Sequence, residues 1–409
     1  MKLKKECSYL GINHLNELTI YGRRQRGIGA LSIRGSRSDL AANQMNFALA
    51  ATASQPKDDA RTQAQADLVF GRKVPLWVVV VMVLALLVCI LASFTLGRYN
   101  MSLNEFFSGI ALHFTNPSAI AADPELARID KVIFSVRLPR IIMVCLVGAA
   151  LAVAGASYQG MFKNPLVSPD ILGSSAGASL GACLALLLNA GNFWVQVGAF
   201  IGGIAAVSLA VWLNKLVKYD AILGLVLGGM LVSTLFSSGT SAIKLVADSQ
   251  DQLPAITFWL MGSFSSVTMD QFIFAAPLFI VGFVVLLSQS WKLNVLSFGD
   301  EEARAMGVNT RVTRIVVIIG STLLASTSVA VAGIVGYVGL VIPHLARAIV
   351  GPNYKVLLPS SMFVGACFLL IVDNIARLVG AVEIPIGILT SIIGVPFFIF
   401  IFRRNMKGW

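Results

Sequence analysis

The feature that most constrains this chain is a series of apolar runs, each of the length that crosses a bilayer. Residues 77–96 and 315–332 are two such runs, and about 20 apolar residues are needed for one helical span. Only 12% of the 409 residues are charged, whereas an ordinary soluble protein has roughly 25%. This pattern predicts an all-α polytopic membrane protein.

The hydropathy pattern predicts about ten transmembrane helices, and an even number places both termini on the same side of the membrane. The predicted spans are residues 76–97, 138–160, 170–189, 193–213, 221–245, 270–289, 312–332, 334–350, 357–378 and 385–402.

The distribution of basic residues predicts the orientation. Lys and Arg are enriched in cytoplasmic loops of membrane proteins. With a cytoplasmic N-terminus, most of the 31 Lys and Arg residues fall inside. The outer segments then hold only Arg98, Arg128, Lys131, Arg137, Arg140, Lys244 and Arg377. Both termini are therefore predicted to be cytoplasmic, and the net charge of +11 is explained by topology rather than by binding to nucleic acid.

Three parts of the chain are distinguished by composition. Residues 1–75 form a polar, basic N-terminal extension, predicted to be disordered and cytoplasmic because it lacks the apolar content of a core. Residues 76–404 form the transmembrane domain, and residues 405–409 form a cytoplasmic tail. An upstream start codon wrongly chosen would explain such an extension equally well, and the alternative is a cytoplasmic regulatory tail.

No pattern of catalytic residues is evident in the sequence. It contains no GxxxxGK[ST] phosphate loop, no CxxC pair and no Cys/His cluster. We therefore expect neither catalysis nor a bound metal or cofactor on this chain. His344 is isolated, and we interpret it as a packing or hydrogen-bonding residue rather than as a metal ligand.

Two polar features stand out against the apolar background. A charged interruption separates the sixth and seventh predicted spans on the cytoplasmic side, and it consists of Gly299, Asp300, Glu301, Glu302, Ala303, Arg304, Ala305, Met306 and Gly307. Three arginines lie at the predicted outer ends of spans, namely Arg137, Arg140 and Arg377. Their charge alone allows two interpretations, which are snorkelling to lipid headgroups and docking of an acidic partner.

A short segment that occurs twice in the chain suggests an inverted repeat. The segment LAVAG at residues 151–155 returns as VAVAG at residues 329–333, in two spans of opposite predicted direction. Inverted repeats are common in transporters, although five small residues are weak support.

Several motifs occur in a fixed order along residues 76–404. They are Arg137-Leu138-Pro139-Arg140, Gly155-x3-Gln159-Gly160, Asn164-Pro165-Leu166-x2-Pro169-Asp170, Trp259-x-Met261-Gly262, the segment from Gly299 to Gly307, Gly333-x2-Gly336-x2-Gly339, Pro343-His344-x2-Arg347, Leu358-Pro359 and Glu383-x-Pro385-x-Gly387. This series resembles the FecCD (BtuC-like) family of permeases in type II ABC importers.

The resemblance implies a transmembrane permease subunit in the bacterial cytoplasmic (inner) membrane. Its implied partners are two ATPase subunits that bind ATP and Mg²⁺, a second permease copy or paralogue, a substrate-binding protein and membrane lipid. The segment from Gly299 to Gly307 would contact the ATPase, while Arg137, Arg140 and Arg377 would face acidic residues of the binding protein. By position alone, Lys218, Tyr219 and Asp220 are predicted to lie near the inner gate.

The residues do not identify the cargo. A ferric siderophore is the first choice because it is the commonest cargo of the family, and haem, cobalamin or an oxyanion such as molybdate or tungstate are alternatives. An ion-coupled secondary transporter fits less well, because such proteins place ionisable residues at mid-membrane, whereas Asp373 and Glu383 lie near span ends.

Overall fold

The computed structural model describes residues 74–97, 99, 101–216, 221–380 and 382–405, and every regular element among them is helical. The predicted N-terminal extension up to residue 73, the predicted inner-gate residues Lys218, Tyr219 and Asp220, and residues 406–409 of the predicted tail lie outside the described residues.

Sixteen α-helices form the described part of the chain. In chain order they are α1 (Leu76–Thr95), α2 (Leu103–Thr115), α3 (Pro117–Ala122), α4 (Pro124–Asp130), α5 (Leu138–Phe162), α6 (Ser174–Leu187), α7 (Gly191–Leu216), α8 (Ala221–Val246), α9 (Gln252–Met261), α10 (Met269–Ser288), α11 (Ser290–Phe298), α12 (Asp300–Ala305), α13 (Thr310–Ala332), α14 (Val338–Val350), α15 (Tyr354–Leu378) and α16 (Ile386–Asn405). A π-helical turn (Lys131–Arg137) joins α4 to α5, and a 3-10 turn (Pro169–Leu172) precedes α6.

The predicted spans agree with the helices that the structure contains. Seven helical segments in the described residues are long and apolar enough to cross a membrane, and α6, α14 and α16 are shorter apolar helices. Each of the ten predicted spans overlaps one of these, and all but the second agree within a few residues at either end. The terms outer and inner follow the predicted orientation, in which Leu138 lies at the outer end of α5 and Phe162 lies at its inner end.

The start of the second span differs from the prediction. The helix does not begin near residue 138 but runs without a break over Pro124–Phe162. Pro139 has no N–H and would clash with the carbonyl four residues earlier in a regular helix. The π-helical turn before it widens the backbone, so that the Leu138 N–H bonds to the Ile133 carbonyl, five residues back.

Helix α5 is the centre of the bundle. Nearly all of its side chains are buried, and it packs against α13, α14 and α15. Glycines permit this close packing, because a Cβ at Gly155 would overlap the carbonyl oxygen of Gly339, and one at Gly148 would overlap that of Gly365. Small residues at such contacts are typical of membrane helices that approach backbone to backbone.

A second group of helices is formed by α6, α7 and α8. Helices α6 and α7 pack along each other through Gly177 against Gly202 and Gly181 against Gly198. Helix α1, in contrast, buries only Val78, Ser93 and Phe94. Its remaining apolar surface is the kind that faces lipid in a membrane helix.

Candidate functional site

The three outer arginines meet in one buried network at the outer ends of α1, α5 and α15. Arg140 Nη2 lies 2.8 Å from Asp373 Oδ1, and its Nη1 donates to Glu383 Oε1 at 3.1 Å. Arg377 Nε lies 3.2 Å from Asp373 Oδ2, an ion-pair contact without hydrogen-bond geometry. Asp373 is fully buried, because its relative exposure is 0%.

Arg137 binds the backbone of the first span rather than a carboxylate. Its guanidinium donates to the carbonyl oxygens of Phe94 and Tyr99. Next to it, Asn374 Nδ2 donates to Ser93 Oγ at 2.8 Å, and Arg377 Nη2 donates to the Ser93 carbonyl at 3.3 Å. The network therefore fastens α1 to α5 and α15 at their outer ends.

This geometry changes the interpretation of the outer arginines. The prediction presented Arg137, Arg140 and Arg377 as charges that face an acidic partner, yet their side chains are only 4%, 7% and 7% exposed. They bind acceptors of their own chain because an unpaired charge inside a protein is very costly. Snorkelling of freely projecting side chains does not fit this burial either, and the docking role itself stays a prediction.

The charged segment from Gly299 to Gly307 is largely exposed at the predicted inner end. Helix α12 begins after Gly299, whose φ of +146° favours glycine. The residues Glu301, Glu302, Arg304, Ala305, Met306 and Gly307 are exposed. Ala303 is fully buried and packs in a small cluster with Val295, Leu296 and Val308. The acidic first turn suits the helix dipole.

Ion pairs connect this segment to the bundle. Asp300 Oδ2 lies 2.8 Å from Arg314 Nη2 on α13, and Asp300 Oδ1 lies 3.6 Å from Lys163 Nζ at the inner end of α5. The two ion pairs therefore link α12 to two spans. The sequence analysis singled out Asp300 but missed Lys163 and Arg314, because their separation along the chain gives no signal of contact.

A second connection runs from α11 to α15. Asn294 Nδ2 donates to Asn353 Oδ1 at 2.7 Å, and the Tyr354 N–H donates to Asn294 Oδ1 at 2.8 Å. Both asparagines are buried, so each of these amides is paired as buried polar groups generally are. The sequence analysis missed this pair as well.

His344 holds the loop that follows α5. Its Nε2 lies 2.8 Å from the Pro165 carbonyl oxygen, and it must donate because a carbonyl accepts. Gln159 Nε2 donates to the Leu340 carbonyl at 3.2 Å, while Arg347 Nη2 lies 3.5 Å from Gln159 Oε1. His344 is thus a hydrogen-bonding residue, as predicted.

Helix α8 presents an unusual surface for an apolar span. The hydroxyls of Thr234, Ser238 and Ser241 are exposed and donate to carbonyls four residues earlier in the same helix. Met230, Leu231 and Leu235 are exposed beside them. Such a mixed face is suited to a wetted path or to a second protein chain as well as to lipid.

The family model of the FecCD transport family matches residues 85–404, which is most of the chain. The chain belongs to the FecCD transport family. It is therefore a permease of an ABC importer rather than a catalytic subunit, and it is a multi-pass protein of the inner membrane. Membership also implies ATPase and binding-protein partners.

Relatives of this FecCD chain are named for several different cargoes. It is 38% identical over 325 residues to the molybdate import system permease MolB of Haemophilus influenzae, covering 80% of this chain and 95% of that protein. It is 36% identical to an iron chelatin transport permease of Helicobacter pylori (76% and 93% covered). The cobalamin permease BtuC of Halobacterium salinarum is 37% identical (68% and 75% covered).

A solved structure has the same fold. This chain matches, with a TM-score of 0.69 and 37% identity, a chain described as an inward-facing conformation of an ABC transporter of the proposed metal-chelate type. The match covers 79% of this chain and 97% of that one. The BtuC-like helical architecture predicted from the motifs is confirmed.

Proposed function

We propose that this FecCD permease imports a ferric siderophore or a similar iron chelate. The observation that carries the choice of cargo is the set of relatives named for iron compounds. These are the iron chelatin permease of Helicobacter pylori, the hemin permease of Yersinia pestis and the Fe(3+)-citrate permease of Bacillus subtilis. No ATP or Mg²⁺ would bind this chain, since both belong to the partner ATPase.

The translocation path would lie between two permease chains, either two copies of this one or a paralogous pair. The exposed face of α8 supports this proposal, because its hydroxyls and apolar side chains can contact a chelate without holding it tightly. Lys218, Tyr219 and Asp220 precede α8 and would lie near the inner gate.

The ATPases would act on the segment from Gly299 to Gly307. Its exposed charges offer a contact surface, and its buried Ala303 gives that surface a rigid base. The Asp300 ion pairs to Arg314 and Lys163 would carry the motion of the ATPases into α13 and α5.

The binding protein would dock at the outer end, near the buried network. Three guanidinium groups face two carboxylates in it, so the network has one positive charge in excess. Although Arg137, Arg140 and Arg377 are buried, a field from a low-dielectric region acts over several ångströms. This excess charge would attract a carboxylate of the docking protein.

Reconstituted transport tests the cargo. The permease is placed in vesicles with its cognate ATPases inside and its binding protein outside, and uptake of ⁵⁵Fe-siderophore is compared with that of haem, cobalamin and molybdate. We expect ATP-dependent accumulation of the iron chelate. Accumulation of another cargo in its place would reject the assignment, and uptake that continues without ATP would favour an ion-coupled transporter.

Molybdate is the second candidate. It rests on the MolB relative, whose length is almost fully matched. The same vesicles distinguish the two cargoes, because competition by excess molybdate should leave iron uptake unchanged if the first proposal is correct.

A further inference from the structure

Helix α2 lies outside the ten spans and is fixed firmly on the bundle. Phe106 and Gly109 are its buried residues, and a Cβ at Gly109 would come 2.9 Å from Ile133 Cδ1. Ser102 and Glu105 form a capping box at its start. The Ser102 N–H and hydroxyl donate to Glu105, and these hydrogen bonds lower the pKa of Glu105.

The same helix carries a second apolar face that is largely exposed. Leu103, Phe107 and Phe114 are 55%, 56% and 76% exposed. They occupy positions i, i+4 and i+11, which fall on one stripe of a helix with 3.6 residues per turn, and Ile110 lies on that stripe between them. No charged side chain interrupts it, and Asn104 and Ser108 lie on the other exposed side.

Contacts at both ends of α2 place it level with the outer ends of the spans. Near its start, the Phe106 ring lies 4.8 Å from the ring of Phe94, the next-to-last residue of α1. At its end, the Phe114 ring lies 6.3 Å from the ring of Phe134. Phe134 lies in the π-helical turn that precedes Leu138, the predicted outer end of α5. Both ends of α2 therefore lie beside the predicted outer ends of the spans.

We propose that the exposed stripe of Leu103, Phe107 and Phe114 inserts into the outer boundary of the bilayer and holds α2 there as an interfacial anchor. The occupant is lipid because α2 packs on α1 through Phe106 and Phe94, and α1 itself exposes the apolar side chains of Leu84, Leu87 and Leu91. Helices with one apolar and one polar face lie in the membrane interface, and aromatic residues are enriched there.

Site-specific photocrosslinking tests the proposal. The photoreactive analogue p-benzoylphenylalanine replaces Phe107, which conserves the aromatic ring, and in a second variant it replaces Ser108 on the polar side. Leu87 on α1 serves as the lipid-facing reference. Each variant is purified, checked for an unchanged elution volume, placed in phosphatidylcholine nanodiscs, irradiated and examined by mass spectrometry for lipid adducts.

We expect lipid adducts at position 107 as abundant as those at position 87, and their loss at position 108. Absence of lipid adducts at position 107, while position 87 reacts, would overturn the proposal. Equal adducts at positions 107 and 108 would overturn the assigned face. When the binding protein is added, an adduct between it and position 107 in place of the lipid adduct would show that this face is a docking surface instead.

Discussion

Arg140 and Asp373 form a buried ion pair that joins the second span to the ninth. The carboxylate of Asp373 is completely enclosed and contacts both Arg140 and Arg377, so two cations share one acidic side chain. Removing one member of a buried pair leaves a charge without compensation, which is far more costly than losing a surface ion pair.

We expect Asp373→Asn to lower the free energy of unfolding by about 3–5 kcal/mol, the usual cost of breaking a buried pair. Glu383 still binds Arg140, so the loss should lie toward the lower value. Thermal unfolding in detergent, followed by tryptophan fluorescence, measures the effect. The exposed carboxylate of Glu125 on α4 provides the control, Glu125→Gln. Equal stability of the two variants would contradict a structural role for the network.

Charge reversal at Arg137 and Arg140 tests whether these arginines act in docking alone or also in folding. If the arginines acted only in docking, Arg137→Glu with Arg140→Glu would insert normally and would lose affinity for the binding protein. Their burial predicts that the variant also loses most of its folded yield, because a carboxylate in place of the Arg140 guanidinium would face Asp373 and Glu383. Size-exclusion chromatography of the solubilised variant distinguishes these outcomes, since a normal monodisperse peak would support docking alone.

The spans could be predicted from the sequence because bilayer thickness sets a length that apolar runs must reach. The charged segment between α10 and α13 was also predictable, since polar residues between two spans must lie outside the hydrocarbon. The partners of Arg140 were not, because Asp373 and Glu383 are more than 200 residues away along the chain. A single sequence shows which residues are polar and does not show which of them meet.

The close approach of α5 and α14 gives a prediction for Gly155. A Cβ there would overlap the carbonyl oxygen of Gly339, and rigid backbone cannot move aside cheaply. We expect Gly155→Ala to destabilise the protein by about 1–3 kcal/mol or more through overpacking. At Gly336 the nearest atom to an added Cβ is Ser391 Oγ at 3.9 Å, so Gly336→Ala is the matched control. Similar thermal stability for the two variants would show that the helices can separate easily.

The N-terminal extension gives a prediction that depends on composition alone. It lies outside the described residues, and its polar sequence lacks the apolar periodicity that buries a core. Deletion of residues 2–70 should leave uptake nearly unchanged. Transport into vesicles by the full and truncated chains, at matched amounts in the membrane, measures this. A truncated chain that inserts well but transports poorly would establish a regulatory role for the extension.

The last prediction concerns the transmission of force from the ATPase. The Ala303 N–H donates to the Gly299 carbonyl at 3.1 Å, and the Ala303 side chain packs against Val295 and Val308 beneath the exposed face of α12. Proline at this position removes that hydrogen bond, at a cost of about 3 kcal/mol in a helix interior, whereas glycine keeps the N–H and costs about 1 kcal/mol.

Ala303→Pro should therefore abolish both uptake and the stimulation of ATPase activity by loaded binding protein. Ala303→Gly should reduce both in part, while the affinity for the binding protein should be unchanged in the two variants. These three quantities are measured in the same vesicles. Wild-type uptake and stimulation in Ala303→Pro would mean that α12 only connects two spans, and that the ATPase acts elsewhere on the inner surface, for example at residues 215–220.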